Sequence, residues 1–365
     1  MNDKKIIPAL TGIRAICVYF IFFYHLNPFT PENHPQWHQL FGQFYTFLTF
    51  FFVLSGFVIC YKYYDIKGLQ KKALYNYIVN RVSRVFPVLF ILITITFLLR
   101  YREGLETAWE TVKLYLLNVS LLKGFSSQYH LTGIGPSWSM SVEELFYLMA
   151  PLVFLYVNKG RKFIGFVLLF YALGCLLTFL FGLFPNAGFF GSYTFTFYTT
   201  FFGRVFEFAC GIYLALLLKG IVKSPFLEKL GRSTLYIGLL IVILAVAGQY
   251  WVAGHYAVAN AADTWPGILL NNIGMPIGIS CIFYSFIHYQ SLLQRLLSTQ
   301  LLVALGNATY SFYLLHTSFV LTLIHKYISP NLLVSFFAMI AFAFGFYKLV
   351  EQPLAIYLRN RFSKK

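Results

Sequence analysis

The chain has 365 residues, of which 59% are hydrophobic, 20% are aromatic and only 11% are charged. Soluble domains carry about 25% charged residues, so this composition excludes a large soluble protein. The net charge of +16 would indicate a nucleic-acid partner in a soluble protein. In a membrane protein it first raises the question of which side the charges occupy. We expect no nucleic-acid partner.

Apolar windows of about 20 residues, the length that a helix needs to cross a ~30 Å hydrocarbon core, recur along the whole chain. They predict an all-α, polytopic integral membrane protein with about ten transmembrane helices in a single domain, 1–365. The predicted spans are 10–27, 40–61, 85–100, 138–157, 163–184, 197–218, 234–252, 266–288, 302–325 and 330–350.

The basic residues predict the orientation. The first apolar run contains Arg14 and has no cleavage site for a signal peptidase, so we interpret it as a retained span with a cytoplasmic N-terminus. In that orientation the loops on the inner side and the C-terminal end hold most of the Lys and Arg, whereas the outer loops 28–39, 185–196 and 253–265 hold none. This asymmetry follows the positive-inside rule and places both termini in the cytoplasm.

One segment is ambiguous. Residues 105–122 are partly apolar but include Glu106, Glu110 and Lys113. If this segment crossed the membrane, every later basic loop would move to the outer side. We therefore predict an interfacial or re-entrant segment.

Ionisable residues inside spans are candidate functional groups because each costs at least about 2.5 kcal/mol to insert. They are Arg14, His25, Glu143, Glu144, Arg204, Glu207, His316, Lys348 and Glu351. Arg14 and His25 are 11 positions apart and return to within about 20° of the same helical face. They predict a groove with a cation at its cytoplasmic end and a base at its outer end. The alternative is that Arg14 reaches the inner headgroups and His25 lies at the outer interface.

The other ionisable residues allow two interpretations each. Glu143 and Glu144 lie about 100° apart on a helix, so only one can face a given site; helix capping is the alternative for this serine-rich N-terminus. Arg204 and Glu207 are spaced for a structural ion pair, although Arg204 could hold an anionic ligand. His316 could be catalytic or could bond a neighbouring helix. By depth, His25, Glu143, Arg204 and His316 can share a layer in the outer half of the bilayer.

Arg81 and Arg84, three positions apart before a predicted span, could bind lipid headgroups or the phosphates of a cytoplasmic donor. The histidine spacing does not favour a metal site, and we expect no metal. The five cysteines lie inside apolar stretches and are interpreted as small core residues.

Six segments, in order along nearly the whole chain, resemble the motifs of one family. They are Leu10-Thr11-Gly12-Ile13-Arg14-Ala15 with His25, Phe51-Phe52-Val53-Leu54-Ser55-Gly56-Phe57, Arg81-Val82-Ser83-Arg84 before Pro87, Trp138-Ser139-Met140-Ser141-Val142-Glu143-Glu144-Leu145-Phe146-Tyr147, Tyr310-Ser311-Phe312-Tyr313-Leu314-Leu315-His316, and Val350-Glu351-Gln352-Pro353. The chain therefore resembles the membrane acyltransferase-3 family of bacterial O-acyltransferases.

The resemblance implies transfer of an acyl group, most often acetyl, from cytoplasmic acyl-CoA to a hydroxyl of an envelope glycan or a lipid-linked saccharide. It also implies that the protein lies in the bacterial cytoplasmic (inner) membrane, in contact with the membrane lipids. Some members carry a fused esterase-like domain; we expect none here, and we expect the membrane domain to act alone or with a separate partner.

The resemblance implies roles for individual residues. His25 and Arg14 are catalytic, and Arg14, Arg81 and Arg84 bind the donor. We further expect Glu143, Glu144 and His316 to be catalytic, with His25 as general base on the acceptor hydroxyl. Trp138, Ser139, Arg204 and Glu207 are expected to bind substrate.

Other mechanisms and functions stay open from the sequence. A covalent route through Ser139, Ser141 or His25 is an alternative to direct transfer. A transporter or flippase of an envelope precursor is the main alternative function because buried charges also suit substrate passage. A membrane sensor or scaffold is the second alternative.

Overall fold

The computed structural model describes residues 7–68, 70–157, 162–184 and 188–363. Within these ranges the fold is helical, with no β-strand and one isolated bridge between Ser126 and Phe189. The α-helices, in chain order, are α1 (Pro8–His25), α2 (Pro35–Phe41), α3 (Leu48–Tyr63), α4 (Lys71–Arg102), α5 (Ala108–Val119), α6 (Trp138–Tyr156), α7 (Lys162–Gly182), α8 (Tyr193–Thr199), α9 (Phe201–Leu218), α10 (Pro225–Leu230), α11 (Thr234–His255), α12 (Trp265–Leu269), α13 (Met275–His288), α14 (Leu292–Leu297), α15 (Gln300–Asn307), α16 (Thr309–Leu315), α17 (Phe319–Tyr327), α18 (Leu332–Phe346) and α19 (Gln352–Phe362).

Shorter turns of other helix types connect some of them. The 3₁₀ turns are Phe44–Phe47, Tyr64–Gly68, Leu122–Phe125, Gly135–Ser137, Gly231–Ser233 and Ala261–Asp263. Two π-helical turns, Leu270–Gly274 and Tyr347–Glu351, precede α13 and α19.

In the described part of the chain, nine helical stretches are long and apolar enough to cross a membrane. They are Pro8–His25, Pro35–Ile66, Lys71–Arg102, Gly135–Tyr156, Lys162–Gly182, Tyr193–Leu218, Pro225–His255, Trp265–His288 and Leu332–Phe362. The predicted all-α polytopic class is confirmed. The orientation of the termini stays a prediction, and several residues that support it, namely Asp3, Lys4, Lys5, Lys159, Arg161, Lys364 and Lys365, lie outside the described residues.

The predicted span 302–325 is not one helix. The chain forms α15, α16 and α17 instead, with breaks at Ala308 and at 316–318. The Thr309 hydroxyl donates to the Gly306 carbonyl at 2.7 Å, and the Ser318 hydroxyl accepts from the Val320 amide at 3.2 Å. These local bonds satisfy backbone groups that a continuous helix would pair internally. His316 lies at the second break.

Helix α4 is longer than the predicted span 85–100 and starts 14 residues earlier, at Lys71. It contains Pro87, but between Lys71 and that residue the sequence has neither glycine nor proline to end a helix. At 1.5 Å per residue a helix of this length exceeds a ~30 Å hydrocarbon core by more than half. The arginines expected in a cytoplasmic loop therefore lie on a regular helix.

The ambiguous segment contains α5, which has 12 residues. Such a helix is about 18 Å long, too short to cross a ~30 Å core. Its N-terminus is closed by a capping box between Thr107 and Glu110. On α4, Phe97 packs edge-to-face on Tyr115, and Thr94 shares a 3.1 Å hydrogen bond with the Tyr115 hydroxyl. These features support the predicted interfacial or re-entrant segment.

The described residues form two compact units. The first comprises 7–62, 156–157, 162–171 and 203–309, and the second comprises 63–68, 70–155, 172–184, 188–202 and 310–363. Each unit is assembled from separate stretches of the chain, so each depends on contacts between residues far apart in sequence.

In the first unit, glycines allow close helix packing. A Cβ atom at Gly12 would lie 1.9 Å from the Leu297 carbonyl oxygen, and one at Gly306 would lie 2.0 Å from the Thr11 carbonyl oxygen. Helix α1 therefore contacts the α14–α15 region backbone to backbone, which only residues without a side chain permit. This contact fixes the helix that carries Arg14 and His25.

In the second unit, polar side chains join segments that carry separate motifs. The Tyr310 hydroxyl donates to the Val85 carbonyl at 2.6 Å, connecting α16 to α4. The buried Ser311 hydroxyl donates to Glu351 at 2.5 Å, connecting α16 to the π-turn before α19. These hydrogen bonds thus connect motifs that are distant in sequence.

Candidate active site

His25 is the last residue of α1, and its ring is accessible rather than buried. Its Nδ1 lies 2.9 Å from the Ile21 carbonyl oxygen. A carbonyl can only accept, so this bond places the proton on Nδ1 and leaves Nε2 as the basic nitrogen of the neutral ring. The Tyr24 ring packs edge-to-face on the imidazole at 4.7 Å. His25 is therefore held as the Nδ1–H tautomer, with Nε2 as the nitrogen that can accept a proton.

Arg14 lies 11 positions earlier on the same helix, about 16 Å along its axis. Its side chain is half-buried, and its guanidinium carbon lies 6.0 Å from the centre of the Phe51 ring. Phe51 belongs to the Phe51–Phe57 motif on α3, so two motifs of the first unit meet here. The cation and the base lie at different depths of one helix.

Arg204 and Glu207 form a completely buried ion pair on α9, with Nε 3.0 Å from Oε1 and side-chain exposures of 1% and 0%. The other two guanidinium nitrogens contact Asn272 at 2.9 Å and Thr49 at 3.3 Å. The Phe52 ring covers the guanidinium at 5.0 Å. All three nitrogens of Arg204 thus have protein partners, which favours the structural interpretation of the pair over a ligand-binding one.

The asparagines of this network were missed by the sequence analysis. Asn271 and Asn272 are buried and lie in the π-turn Leu270–Gly274. The Asn271 amide donates to Asn272 at 2.8 Å, and the Asn272 amide donates to the Gly203 carbonyl at 3.0 Å. No periodic pattern in a sequence indicates a π-turn, so no signal could have identified these asparagines.

In the second unit, the structure brings Ser139 and His316 together through Tyr313. The Tyr313 hydroxyl lies 2.8 Å from the Ser139 hydroxyl and 2.9 Å from the Pro136 carbonyl oxygen. His316 Nδ1 lies 2.8 Å from the Tyr313 carbonyl, which assigns the same tautomer as in His25. All three residues are buried. Tyr313 was not predicted as a site residue, although it lies three positions before His316.

Trp138 and Ser141 complete the N-terminus of α6. The Trp138 ring packs against Tyr198 at 5.8 Å, and the Ser141 hydroxyl donates to the Leu121 carbonyl at 2.6 Å. A Cβ atom at Gly124 would lie 2.3 Å from that Ser141 hydroxyl oxygen. The turn around Leu121–Gly124 therefore packs directly on the first turn of α6.

Glu143 and Glu144 have different surroundings, as expected from their angular separation. The Tyr147 hydroxyl donates to Glu143 Oε2 at 3.1 Å. One oxygen of Glu144, Oε1, is buried without a hydrogen-bond partner among the described residues, and the carboxylate interacts electrostatically with Arg81.

Arg81 and Arg84 differ strongly in exposure. Arg81 is 8% exposed, and its guanidinium carbon lies 5.4 Å from the Tyr63 ring and 5.5 Å from the Tyr147 ring. Arg84 is exposed on a neighbouring face of α4, as are Lys71 and Lys72 near its N-terminus. Only Arg84 of the pair is accessible to a large anion.

Lys123, in the segment before α6, is completely buried. Its ammonium donates to the carbonyl oxygens of Thr132 at 2.6 Å and Ile134 at 2.9 Å. Burial lowers the pKa of Lys123 to about 7. Lys123 was not predicted as a site residue, because nothing in the polar stretch that contains it indicates burial.

Among the described residues, no group of three or more His, Cys, Asp or Glu side chains could hold a metal ion.

Comparison with known proteins agrees with the motifs. The model of a family described as "Acyltransferase domain" matches residues 7–348. The O-acetyltransferase OatA of Staphylococcus aureus (strain NCTC 8325 / PS 47) is 26% identical over 385 aligned residues, which cover 97% of this chain and 58% of that protein. A putative O-acetyltransferase of S. aureus (strain COL) is 26% identical over 357 residues, covering 89% of this chain and 52% of that protein.

The chain therefore spans little more than half the length of these relatives. No solved structure matches it. Because the family model covers nearly the whole chain, from residue 7 to residue 348, this protein belongs to the membrane acyltransferase-3 family, as its six motifs predict.

Proposed function

We propose that this protein is an O-acyltransferase that moves an acetyl group from cytoplasmic acetyl-CoA to a hydroxyl of a cell-envelope glycan or lipid-linked saccharide. Family membership and the relatives' O-acetyltransferase names support acyl transfer. The single observation that carries the mechanism is His25, whose Nδ1 is bonded to the Ile21 carbonyl and whose Nε2 is the basic nitrogen. The bacterial cytoplasmic membrane is the proposed location.

The proposed reaction needs one base and no resident cofactor. His25 Nε2 takes the proton of the acceptor hydroxyl as its oxygen attacks the thioester carbonyl. The carbon–sulfur bond then breaks, and the departing thiolate of coenzyme A takes the proton back from the imidazolium. A thioester is already activated, so orientation of the two substrates is the main remaining requirement.

The donor is proposed to enter from the basic side. Arg84 is exposed and can pair with phosphate oxygens, and Arg14 lies on the helix that leads to His25. The ~16 Å between Arg14 and His25 along α1 is the distance over which the pantetheine arm would extend. Arg204 and Glu207 are proposed to stabilise the first unit rather than to bind substrate, because the buried guanidinium is ion-paired with Glu207 and hydrogen-bonded to Asn272 and Thr49.

The test uses the full chain purified into lipid nanodiscs, acetyl-CoA labelled in the acetyl group, and an extract of envelope glycans. We expect transfer of label to the glycan by wild type and at least a hundredfold less by His25→Ala, the lower end of the range for a lost general base of about 10²–10⁴. His34→Ala, which removes an exposed histidine from the outer loop, is the control and should retain activity. Equal transfer by wild type and His25→Ala would contradict the proposal.

A transporter or flippase of an envelope precursor is the second candidate function. The interruption of the helical chain at Ala308 and at 316–318 favours it, because interrupted membrane helices line substrate sites in many transporters. Passage of the glycan precursor across proteoliposomes without acetyl-CoA, retained in His25→Ala, would support this function instead.

A further inference from the structure

Three tyrosines surround Arg81 and are called here the tyrosine cage: Tyr63, Tyr77 and Tyr147. The guanidinium carbon lies 5.4 Å from the Tyr63 ring and 5.5 Å from the Tyr147 ring, distances at which a cation is attracted to a ring face. Tyr77, one helical turn before Arg81 on α4, donates from its hydroxyl to the Tyr147 carbonyl at 2.6 Å. The cage therefore joins α4 to the middle of α6.

The cage leaves Arg81 little room for a ligand. The residue is 8% exposed, and a guanidinium between two rings keeps only its edges for hydrogen bonds. A diphosphate could reach it only by displacing packed side chains. Arg84 has no such restriction, since it is exposed three positions further along the helix.

The cage also leads to a carboxylate of the candidate active site. The Tyr147 hydroxyl donates to Glu143 Oε2 at 3.1 Å, one helical turn nearer the N-terminus of α6. The ring of Tyr147 is held by Arg81 on its face, and its backbone carbonyl is held by Tyr77. A ring fixed in both ways can keep its hydroxyl aimed at Glu143.

We propose that Arg81 is a positioning residue for acyl transfer: it holds Tyr147 so that the phenol orients Glu143, whereas Arg84 contacts the donor's phosphates. The proposal rests on the proposed function, because it assigns Glu143 to the acyl-transfer site. It gives Arg81 and Arg84 different roles, whereas the family resemblance implies that both bind the donor.

The experiment separates donor binding from turnover. Four variants of the full chain, Arg81→Gln, Arg84→Gln, Tyr147→Phe and Arg81→Lys, are purified into nanodiscs. The dissociation constant of coenzyme A is measured for each, and the acetylation of envelope glycans is measured in expressing cells by mass spectrometry, per amount of protein. Arg359→Gln and Tyr357→Phe, both exposed on α19, are matched controls and should behave as wild type.

We expect Arg84→Gln to weaken coenzyme A binding at least fivefold. Arg81→Gln and Tyr147→Phe should bind coenzyme A within twofold of wild type but acetylate at least tenfold less, since a hydrogen bond to a charged group contributes a factor of about ten to a hundred. A fifth protein that combines Arg81→Gln with Tyr147→Phe should be little worse than either single variant, because both substitutions remove the same link. Arg81→Lys, which keeps a cation in the cage, should recover part of the acetylation.

Weaker coenzyme A binding by Arg81→Gln, equal to that of Arg84→Gln, would overturn the proposal, as would full activity of Tyr147→Phe. If Arg81→Gln does not fold, Tyr147→Phe decides alone, because it keeps the ring and removes only the hydroxyl. If wild type neither binds coenzyme A nor changes glycan acetylation, the proposed function is wrong and this inference is overturned with it. If wild type is active, the variants test only the positioning role of Arg81 and not the proposed function.

Discussion

At the scale of single residues, position in the sequence does not determine whether a charge is accessible. Arg81 and Arg84 belong to one motif, yet one is enclosed by tyrosines and the other is exposed. Their sequence spacing places them on adjacent faces of a helix but says nothing about which face meets α6. The sequence therefore predicted the motif but could not show which of its two arginines is enclosed.

The sequence likewise does not show that Lys123 is buried. Its burial can be tested through the pH dependence of stability. Its pKa is about 7 in the folded protein and about 10.4 for an unperturbed lysine. Between these values the unfolded chain keeps the proton that the folded protein has released, so the free energy of unfolding rises with pH across this window. Below about pH 7 both states hold the proton, and the cost of burying the charge is present in full.

We therefore expect the free energy of unfolding of wild type to rise, relative to Lys123→Met, by about 1.4 kcal/mol per pH unit above pH 7. The variant removes the titrating group, and comparison with it cancels the effects of all other groups. Thermal or denaturant unfolding of the two proteins in detergent at pH 6, 7, 8 and 9 measures this difference. A constant difference across that series would show that Lys123 does not titrate there.

At the scale of helices, apolar windows predicted nearly all the membrane-spanning stretches but not their interruptions. The window 302–325 is long and apolar enough to predict a span, yet the chain breaks at Ala308 and again around His316. Hydroxyl groups of Thr309 and Ser318 satisfy the backbone at these points. Hydropathy averages over such single hydroxyls, so it cannot locate a break that they stabilise.

The glycine contacts of α1 give a prediction at this scale. Replacing Gly12 or Gly306 by valine would place side-chain atoms about where backbone oxygens of Leu297 or Thr11 now lie, so α1 would have to move. We expect each variant to lower the thermal midpoint by several degrees and to lose acetyl transfer, because overpacking costs about 1–3 kcal/mol. Both can be measured on protein purified in detergent.

Gly345→Ala is the matched control for these variants. A Cβ atom at Gly345, inside α18, would meet no atom within 4 Å, and alanine favours a helix over glycine by up to about 1 kcal/mol. Its midpoint should stay the same or rise. If Gly12→Val and Gly345→Ala behave alike, the close contact between α1 and the α14–α15 region does not stabilise the protein.

At the scale of the whole molecule, the net charge of +16 is concentrated, in the predicted topology, on the cytoplasmic side. That distribution suits orientation by the positive-inside rule and attraction of a polyphosphate donor. The predicted orientation follows from the distribution of Lys and Arg along the sequence.

Cysteine labelling tests the orientation. Glu32→Cys lies in the outer loop before α2, and Glu228→Cys lies in α10 on the basic side; both residues are exposed. In spheroplasts, a membrane-impermeant maleimide should label Glu32→Cys at once and Glu228→Cys only after lysis. The reverse pattern would place the basic side, where acetyl-CoA is proposed to bind, outside the cytoplasm. It would therefore contradict the proposed route of the donor.

The central claim is that this protein acetylates an envelope glycan with His25 as the base, and one comparison tests it most directly. Envelope glycans are isolated from cells that lack the protein and from the same cells expressing wild type or His25→Ala at equal levels, and their O-acetyl groups are quantified by mass spectrometry. We expect an added acetyl mass of 42 Da per modified sugar, lost on mild alkaline treatment, with wild type only. Identical acetylation in all three samples would contradict the account.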